Sequence, residues 1–189
     1  MVVDGPAETG ARARTRRAIL DAAVSALSRD PASSLGDIAA AAGVGRTTVH
    51  RYFAERSDLL QALSNDALDK IAVANERARL GEGGPVEALE RFCKEMFELG
   101  DLLMLIFNDP QLMACPEWEE YTEADRDFLR LVERGHAEGV MDRELSPEWV
   151  QQTLWALLYA AWSHVRENGA SKFDALVLCL RTVRKSIAT

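Results

Sequence analysis

The sequence predicts an all-α protein, and three observations lead there. No stretch of its 189 residues sustains the alternation of a half-buried strand. Apolar residues recur instead at i, i+3, i+4 and i+7 along most of the chain. Glycine, proline and capping hydroxyls fall between those stretches and cut the chain into about nine helices. The expected architecture is an N-terminal three-helix head, built around a helix-turn-helix, joined to a larger C-terminal helical bundle. Residues 1–12 read as a disordered lead, 13–56 as the head and 57–189 as the body.

The first helix is expected from about Ala13 to Arg29, with Ile19, Leu20, Ala23, Val24 and Leu27 inward and Asp30 and Pro31 ending it. Ser34 is placed to cap the second helix, its hydroxyl meeting unpaired first-turn amides. That helix carries Leu35, Ile38, Ala39 and Ala42 on one face and stops at Gly43, a residue that tolerates the left-handed conformation. After a turn through Val44 and Gly45, a third helix places Val49, Tyr52 and Phe53 inward. Two helices joined by so short a turn cross closely, which requires a small residue such as Ala39. Ser57 and Asp58 read as the N-cap pair of a long helix through Leu59, Leu60, Leu63, Leu68 and Ile71 to about Arg79, and Gly81–Pro85 as the clearest loop. Helices follow at 86–100, 102–107 and 117–138. The last two span 147–168, with Pro147 in its first turn, and 172–187, joined at Asn168 and Gly169.

The third helix leaves Arg46, Thr47, Thr48, His50 and Arg51 outward, with no acid between Gly43 and Ala54. An ordinary solvated helix mixes both signs of charge. A face of donors alone suits the major groove of double-stranded DNA, where arginine pairs with guanine edges and Thr or His reaches bases and phosphates. Arg12, Arg14, Arg16 and Arg17 cluster at the start of the first helix. Such a run is usually a solvated face, but beside a helix-turn-helix it reads as a grip on phosphate or the minor groove. Ser34, Tyr52 and Arg56 complete the expected DNA-contacting set.

Charge agrees once it is divided along the chain. The formal net charge is −8, yet residues 11–56 carry eight arginines against four carboxylates, a net +4, which leaves −12 for the rest. A basic head on an acidic body is the footprint of a nucleic-acid binder that docks by one end. A hydrophobic content of 48% and a charged content of 28% belong to a folded soluble chain. The best apolar run, Leu154 to Trp162, is far too short to span a membrane. No apolar export signal opens the sequence, so the expected location is the cytoplasm, away from membranes. Cys93, Cys115 and Cys179 are odd in number and widely spaced, which suggests neither disulfides nor a zinc site.

The helix at 147–168 has two apolar stripes, Val150, Leu154, Leu157, Ala161 and Val165 on one side and Trp155, Tyr159 and Trp162 on the other. A helix apolar on most sides is buried on most sides, and a second copy of the chain is the economical cover. The final helix offers Leu176, Leu180, Val183 and Ile187 in line. The expected homodimer interface is therefore Val150, Leu154, Leu157, Ala161, Leu176, Leu180 and Val183. Met and aromatic residues adapt around irregular guests, and the body holds Phe92, Met96, Phe107, Met113, Trp118, Phe128, Trp155 and Trp162. With the polar Asn108, Tyr121 and Tyr159 they form the candidate ligand set. Bases are scarce there and Glu95, Glu98, Asp101 and Glu117 are near in sequence, so the expected effector is lipophilic and neutral or cationic.

The residues of the head resemble the TetR (tetracycline-repressor-like) family of transcriptional regulators. The resemblance is strongest over Thr15 to Leu60. It is carried by Arg17 to Ala23, Ile38-Ala39, Ala42-Gly43-Val44, Thr48-Val49, Arg51-Tyr52-Phe53, and Arg56 with Leu59-Leu60. His50 departs from it, standing where members commonly carry tyrosine at a backbone-contacting position, and Thr47 replaces a frequent glycine. The resemblance implies a homodimeric, ligand-responsive repressor. Its heads would bind a palindromic operator, its last two helices would pair, and a small molecule entering the body would release DNA.

Other chemistry finds little support. Glu133 and His136 match the ExxH spacing of di-iron bundles, but a second such pair and further glutamates are missing. No phosphate-cradling glycine loop is present, and no cofactor, metal or catalytic set is expected. A DNA-binding regulator controlled by a protein partner and a helical enzyme or carrier are the alternative readings.

Overall fold

The computed structural model describes residues 10–118 and 120–188. Among them are ten α-helices and one 3-10 turn: α1 (Gly10–Arg29), α2 (Leu35–Ala41), α3 (Arg46–Tyr52), α4 (Arg56–Ala78), α5 (Pro85–Phe97), α6 (Gly100–Asn108), α7 (Pro110–Met113), the 3-10 turn Pro116–Trp118, α8 (Glu123–Ala137), α9 (Pro147–Asn168) and α10 (Lys172–Ile187). The all-α expectation holds. α1 starts three residues before the expected Ala13, so Gly10, Ala11 and Arg12 are helical rather than part of the lead; the rest of that lead, residues 1–9, lies outside the described residues.

The chain forms two compact units, and the division falls inside α4 rather than at residue 56. One unit runs to Asp66 and takes in Leu105–Cys115; the other holds Ala67–Met104 and the chain from Pro116 onward.

In the first unit, α1 packs on α2 and α2 on α3. Ile19, Leu20, Ala23 and Leu27 of α1 meet Ile38, Ala39, Val49 and Phe53 in a core whose members are at most 3% exposed. Each full burial of an Ile or Leu side chain is worth about 1.5–3 kcal/mol. Val24, expected inward, is half-buried at the edge of that stripe. Ser34 accepts from the Asp37 amide while Asp37 accepts from the Ser34 backbone at 2.8 Å, a reciprocal capping box. At the other end of α2, Gly43 adopts φ +66. The Gly43 and Val44 amides donate to the carbonyls of Ala40 and Ala39 at 3.1 and 3.0 Å. This paired ending satisfies the last carbonyls of α2 and aims the chain into α3. α4 begins at Arg56, because Asp58 sits inside the first turn and accepts from the Glu55 amide at 3.0 Å; the expected Ser57-Asp58 cap pair lies within the helix.

In the second unit, α5 contributes Ala88, Leu89, Phe92, Cys93, Met96 and Phe97 to the interior and packs on α8, α9 and α10. The loop after α4 is firmly held. Arg91 donates to the carbonyls of Ala78, Arg79 and Glu82 at 2.6–2.9 Å, and Arg134 to those of Leu80 and Gly81 at 3.0 and 2.8 Å. The helix expected from 117 starts instead at Glu123. Thr122 and Asp125 form a capping box there, and the preceding Pro116–Trp118 makes only a 3-10 turn. α9 has Ser146 as its cap and Pro147 in its first turn, and Gly169 at φ +67 ends it. Ser171 then caps α10, so α9 and α10 form a helical hairpin.

All three cysteines are buried and free. Burial pushes the Cys179 thiol up to about 11 and raises Cys93 further. A thiol reagent at pH 8 is expected to react at least about a hundredfold more slowly with the native protein than with the unfolded chain. Fast labelling of one native thiol would contradict the packing described.

Candidate DNA interface and the placement of the predicted ligand and dimer residues

The outward side of α3 carries Arg46, Thr47, His50 and Arg51, all exposed, with Thr48 half-buried. Arg46 folds back on α2, its guanidinium filling the space that a side chain at Gly36 would need. It also lies near Asp37, whose carboxyl is held below the usual range by the Ser34 hydroxyl and amide first and by the charge of Arg46 in addition. The sequence reading missed this backing of Arg46 by Gly36 and Asp37, because a glycine inside a short helix carries no periodic signal. The His50 Nδ1 is 3.2 Å from the Ala54 carbonyl. A carbonyl only accepts, so Nδ1 carries the proton, and Nε2 is the nitrogen left for an outside partner.

Tyr52 is half-buried and links α3 to α1. Its hydroxyl donates to the Arg12 carbonyl at 3.2 Å, and the guanidinium groups of Arg12 and Arg51 stand 5.8 and 5.7 Å from its ring centroid. Such cation–π contacts are worth about 0.5–1 kcal/mol each at exposed sites. Arg16 lies over the Phe53 ring at 5.7 Å, and Arg14 is exposed. Arg12, the last residue of the expected lead and part of the arginine cluster, thus joins the α3 surface.

Two of the predicted contacts are engaged within the unit. Arg17 bonds to Asp21 through Nε at 3.0 Å and to Asp66 of α4. Burial works against its charge, but these carboxylates outweigh it and hold the guanidinium above its ordinary range. Arg56 donates to the Ser33 and Pro31 carbonyls at 2.5 and 2.6 Å, tying α4 to the link between α1 and α2. Through these contacts both arginines brace the head. The Ser34 hydroxyl is engaged in the α2 cap, although the residue itself is exposed.

The structure sorts the predicted ligand residues into separate places. Phe92 and Phe128 meet with ring centroids 5.2 Å apart, and Trp155 stands edge-on to Phe92 at 6.5 Å. Met96 is fully buried in the same unit. Trp162 stacks on Phe97 at 6.4 Å, donates to the Phe97 carbonyl at 3.1 Å and closes over Gly100; it is core. Tyr159 lines a cleft between α9 and α10, Trp118 is half-buried, and Tyr121 is 54% exposed. Phe107, Asn108 and Met113 belong to the other unit, the last two exposed. Of the acids expected nearby, Glu98, Asp101 and Glu117 face solvent and Glu95 is half-buried. Asp125 and Asp127 precede Phe128 on α8 within one turn, and both are half-buried. Asp125 accepts from Gln151 at 2.8 Å and Asp127 from Asn75 at 2.8 Å.

The predicted dimer stripe divides by burial as well. Val150, Leu154, Ala161 and Val183 are at most 7% exposed in the isolated chain, so most of their surface is already covered by its own core. Leu157, Leu176 and Leu180 are half-buried. The apolar surface left open includes Phe173, Val177 and Leu178 of α10, 75%, 45% and 49% exposed. Beside Leu178 runs a cleft of about 530 Å³ lined by Leu157, Ala160, Ser163, His164 and Thr182 among others. Glu133 is exposed and His136 half-buried, and no group of three possible metal ligands occurs among the described residues. Among them, too, no helix is long and apolar enough to cross a membrane.

Comparison with known proteins gives a consistent result. The family model described as bacterial regulatory proteins, tetR family, matches residues 19–63. The chain is 41% identical over 162 residues to the HTH-type transcriptional repressor LfrR of Mycolicibacterium smegmatis, covering 85% of this chain and 84% of that one. It is 32% identical over 153 residues to the HTH-type transcriptional regulator NfxB of Pseudomonas aeruginosa, covering 77% and 79%. The crystal structure of LfrR in complex with proflavine superposes with a TM-score of 0.75 at 36% identity, covering 93% of this chain and 98% of that one.

Proposed function

The chain belongs to the TetR family of bacterial regulatory proteins, helix-turn-helix transcriptional regulators rather than enzymes, and from that premise we propose that it acts as a homodimeric, ligand-responsive repressor. Two heads bind the half-sites of a palindromic operator, and a small lipophilic effector, neutral or cationic, releases them. The observation that carries the DNA reading is the donor-only face of α3, with Arg12 of α1 against Tyr52 and Arg14 exposed on the same helix α1. A two-fold dimer relates two such faces by the axis that relates the half-sites.

The effector part rests on two supports. LfrR has been crystallised in complex with proflavine, and this chain groups Phe92, Phe128 and Trp155, with Asp125 and Asp127 preceding Phe128 on α8. A ligand displaces DNA only by preferring an arrangement of the heads that does not fit the operator. The test is a gel shift on DNA flanking the chain's own gene, with and without lipophilic cations, neutral aromatics and organic acids. Specific binding abolished by the first two classes supports the reading; release by acids alone overturns the effector class. Within the same assay, Arg46→Ala should cost about 1–3 kcal/mol at one base pair of each half-site if Arg46 reads guanine bidentately. An unchanged sequence preference would remove Arg46 from base readout.

A further inference from the structure

We propose that Asn75 and Asp127 form the recognition point for an effector that is an N–H-bearing aromatic cation, a deepening that rests on the effector-responsive reading above. Asn75 lies on the inner side of α4, 6% exposed, and donates through Nδ2 to Asp127 Oδ2 at 2.8 Å. A carboxylate accepts and cannot donate, so the amide orientation is fixed by chemistry: Nδ2 must face Asp127 and Oδ1 must face away. Asn75 Oδ1 is then buried with no hydrogen-bond partner among the described residues. A buried acceptor left unpaired is costly, and native interiors rarely keep one without a use.

The surroundings specify what would satisfy it. Asp127 adds a negative charge beside the amide and is otherwise bonded to Arg130 at the surface. Phe128 follows on α8, its ring 5.2 Å from that of Phe92, and Trp155 stands 6.5 Å from Phe92. Earlier in the same turn of α8, Asp125 is bonded to neutral Gln151. The Asn75–Asp127 pair therefore supplies a buried acceptor and a carboxylate shared with Arg130, the next residue of α8 belongs to the aromatic cluster, and the unmet demand is a donor. A cationic aromatic amine fits all three. A neutral aromatic without N–H gains only the rings, and an organic anion meets the carboxylates that precede Phe128.

The test titrates the full-length protein at pH 8 with proflavine, an aminoacridine cation, and with acridine, which is neutral there and has no N–H. The wild type is expected to favour proflavine over acridine by at least about tenfold. Asn75→Leu keeps the side-chain size and removes the acceptor. It should weaken proflavine binding about tenfold, change acridine binding by less than about twofold, and leave the ligand-free Tm unchanged or higher. Proflavine binding to Asn75→Leu as tightly as to wild type would overturn the niche while leaving the effector reading intact. Binding of neither dye to the wild type would overturn the niche, whereas the effector reading is overturned by the gel shift if only organic acids release the operator. Should Asn75→Leu fail to fold, Asp127→Asn at its half-buried position carries the same comparison: proflavine weakened with acridine unaffected supports the niche, and equal affinities overturn it.

Discussion

Ala160→Asp combined with Leu178→Asp is expected to hold the chain as a monomer at micromolar concentration and to weaken operator binding by at least about a hundredfold. Both residues line the open cleft between α9 and α10, and Leu178 is 49% exposed although it is large and apolar. A stable dimer covers about 800 Å² on each partner, and Phe173, Val177 and Leu178 provide an apolar centre for such a surface. Carboxylates brought to that centre would be desolvated beside their own copies across the two-fold axis. Neither substitution enters the chain's own core, so the protomer should still fold. The loss at the operator follows from avidity: once one head is docked, the second binds from a high effective concentration, and a monomer forfeits this. Leu154→Ala is the control. Leu154 is 2% exposed, so its truncation should cost about 2–5 kcal/mol of stability without dissociating the folded protein. Light scattering that shows the double variant as a dimer would place the interface elsewhere.

The contrast between Leu154 and Leu178 marks the limit of what the sequence makes legible. Helices, caps and the turn after α2 were readable because their causes are local: Ser34 and Asp37 are three residues apart, and Gly43 acts on its immediate neighbours. The box at Thr122 and Asp125 is equally local, and it sets the start of α8 at Glu123 rather than at 117. Spacing shows that two stripes of α9 are apolar, but not which of them meets the chain's own α5 and α8. The structure gives Val150, Leu154 and Ala161 to the interior and leaves Ala160 at the surface. Long-range partners are invisible for the same reason. Arg17 finds Asp66 49 residues away, and Asn75 finds Asp127 52 residues away. Position beside the helix-turn-helix makes Arg14, Arg16, Arg17, Arg46, Arg51 and Arg56 candidates for DNA alike, and only contacts separate those that brace the fold from those that face outward.

That separation has a measurable consequence in salt. Arg12, Arg14, Arg46 and Arg51 are exposed, so a dimer presents about eight guanidinium groups to phosphate and bases. With Arg46 given to base readout, about six of these groups meet phosphate; at about 0.9 released counterions per neutralised phosphate, the slope of log affinity against log salt should lie near −5, a loss of about 10³-fold between 50 and 200 mM. Arg14→Ala should make the slope shallower by about 2 per dimer, one for each head. Arg17→Ala and Arg56→Ala should behave differently. Arg17 is bound to Asp21 and Asp66, and Arg56 to the carbonyls of Pro31 and Ser33. Removing either deletes the hydrogen bonds that hold these acceptors, at about 1–3 kcal/mol of stability, while the salt slope of the protein that remains folded stays at the wild-type value. Fluorescence anisotropy on operator DNA across that salt range, paired with thermal unfolding of each variant, tells the two groups apart. A slope lowered by Arg17→Ala as much as by Arg14→Ala would return Arg17 to the DNA surface and break the division between bracing and binding arginines.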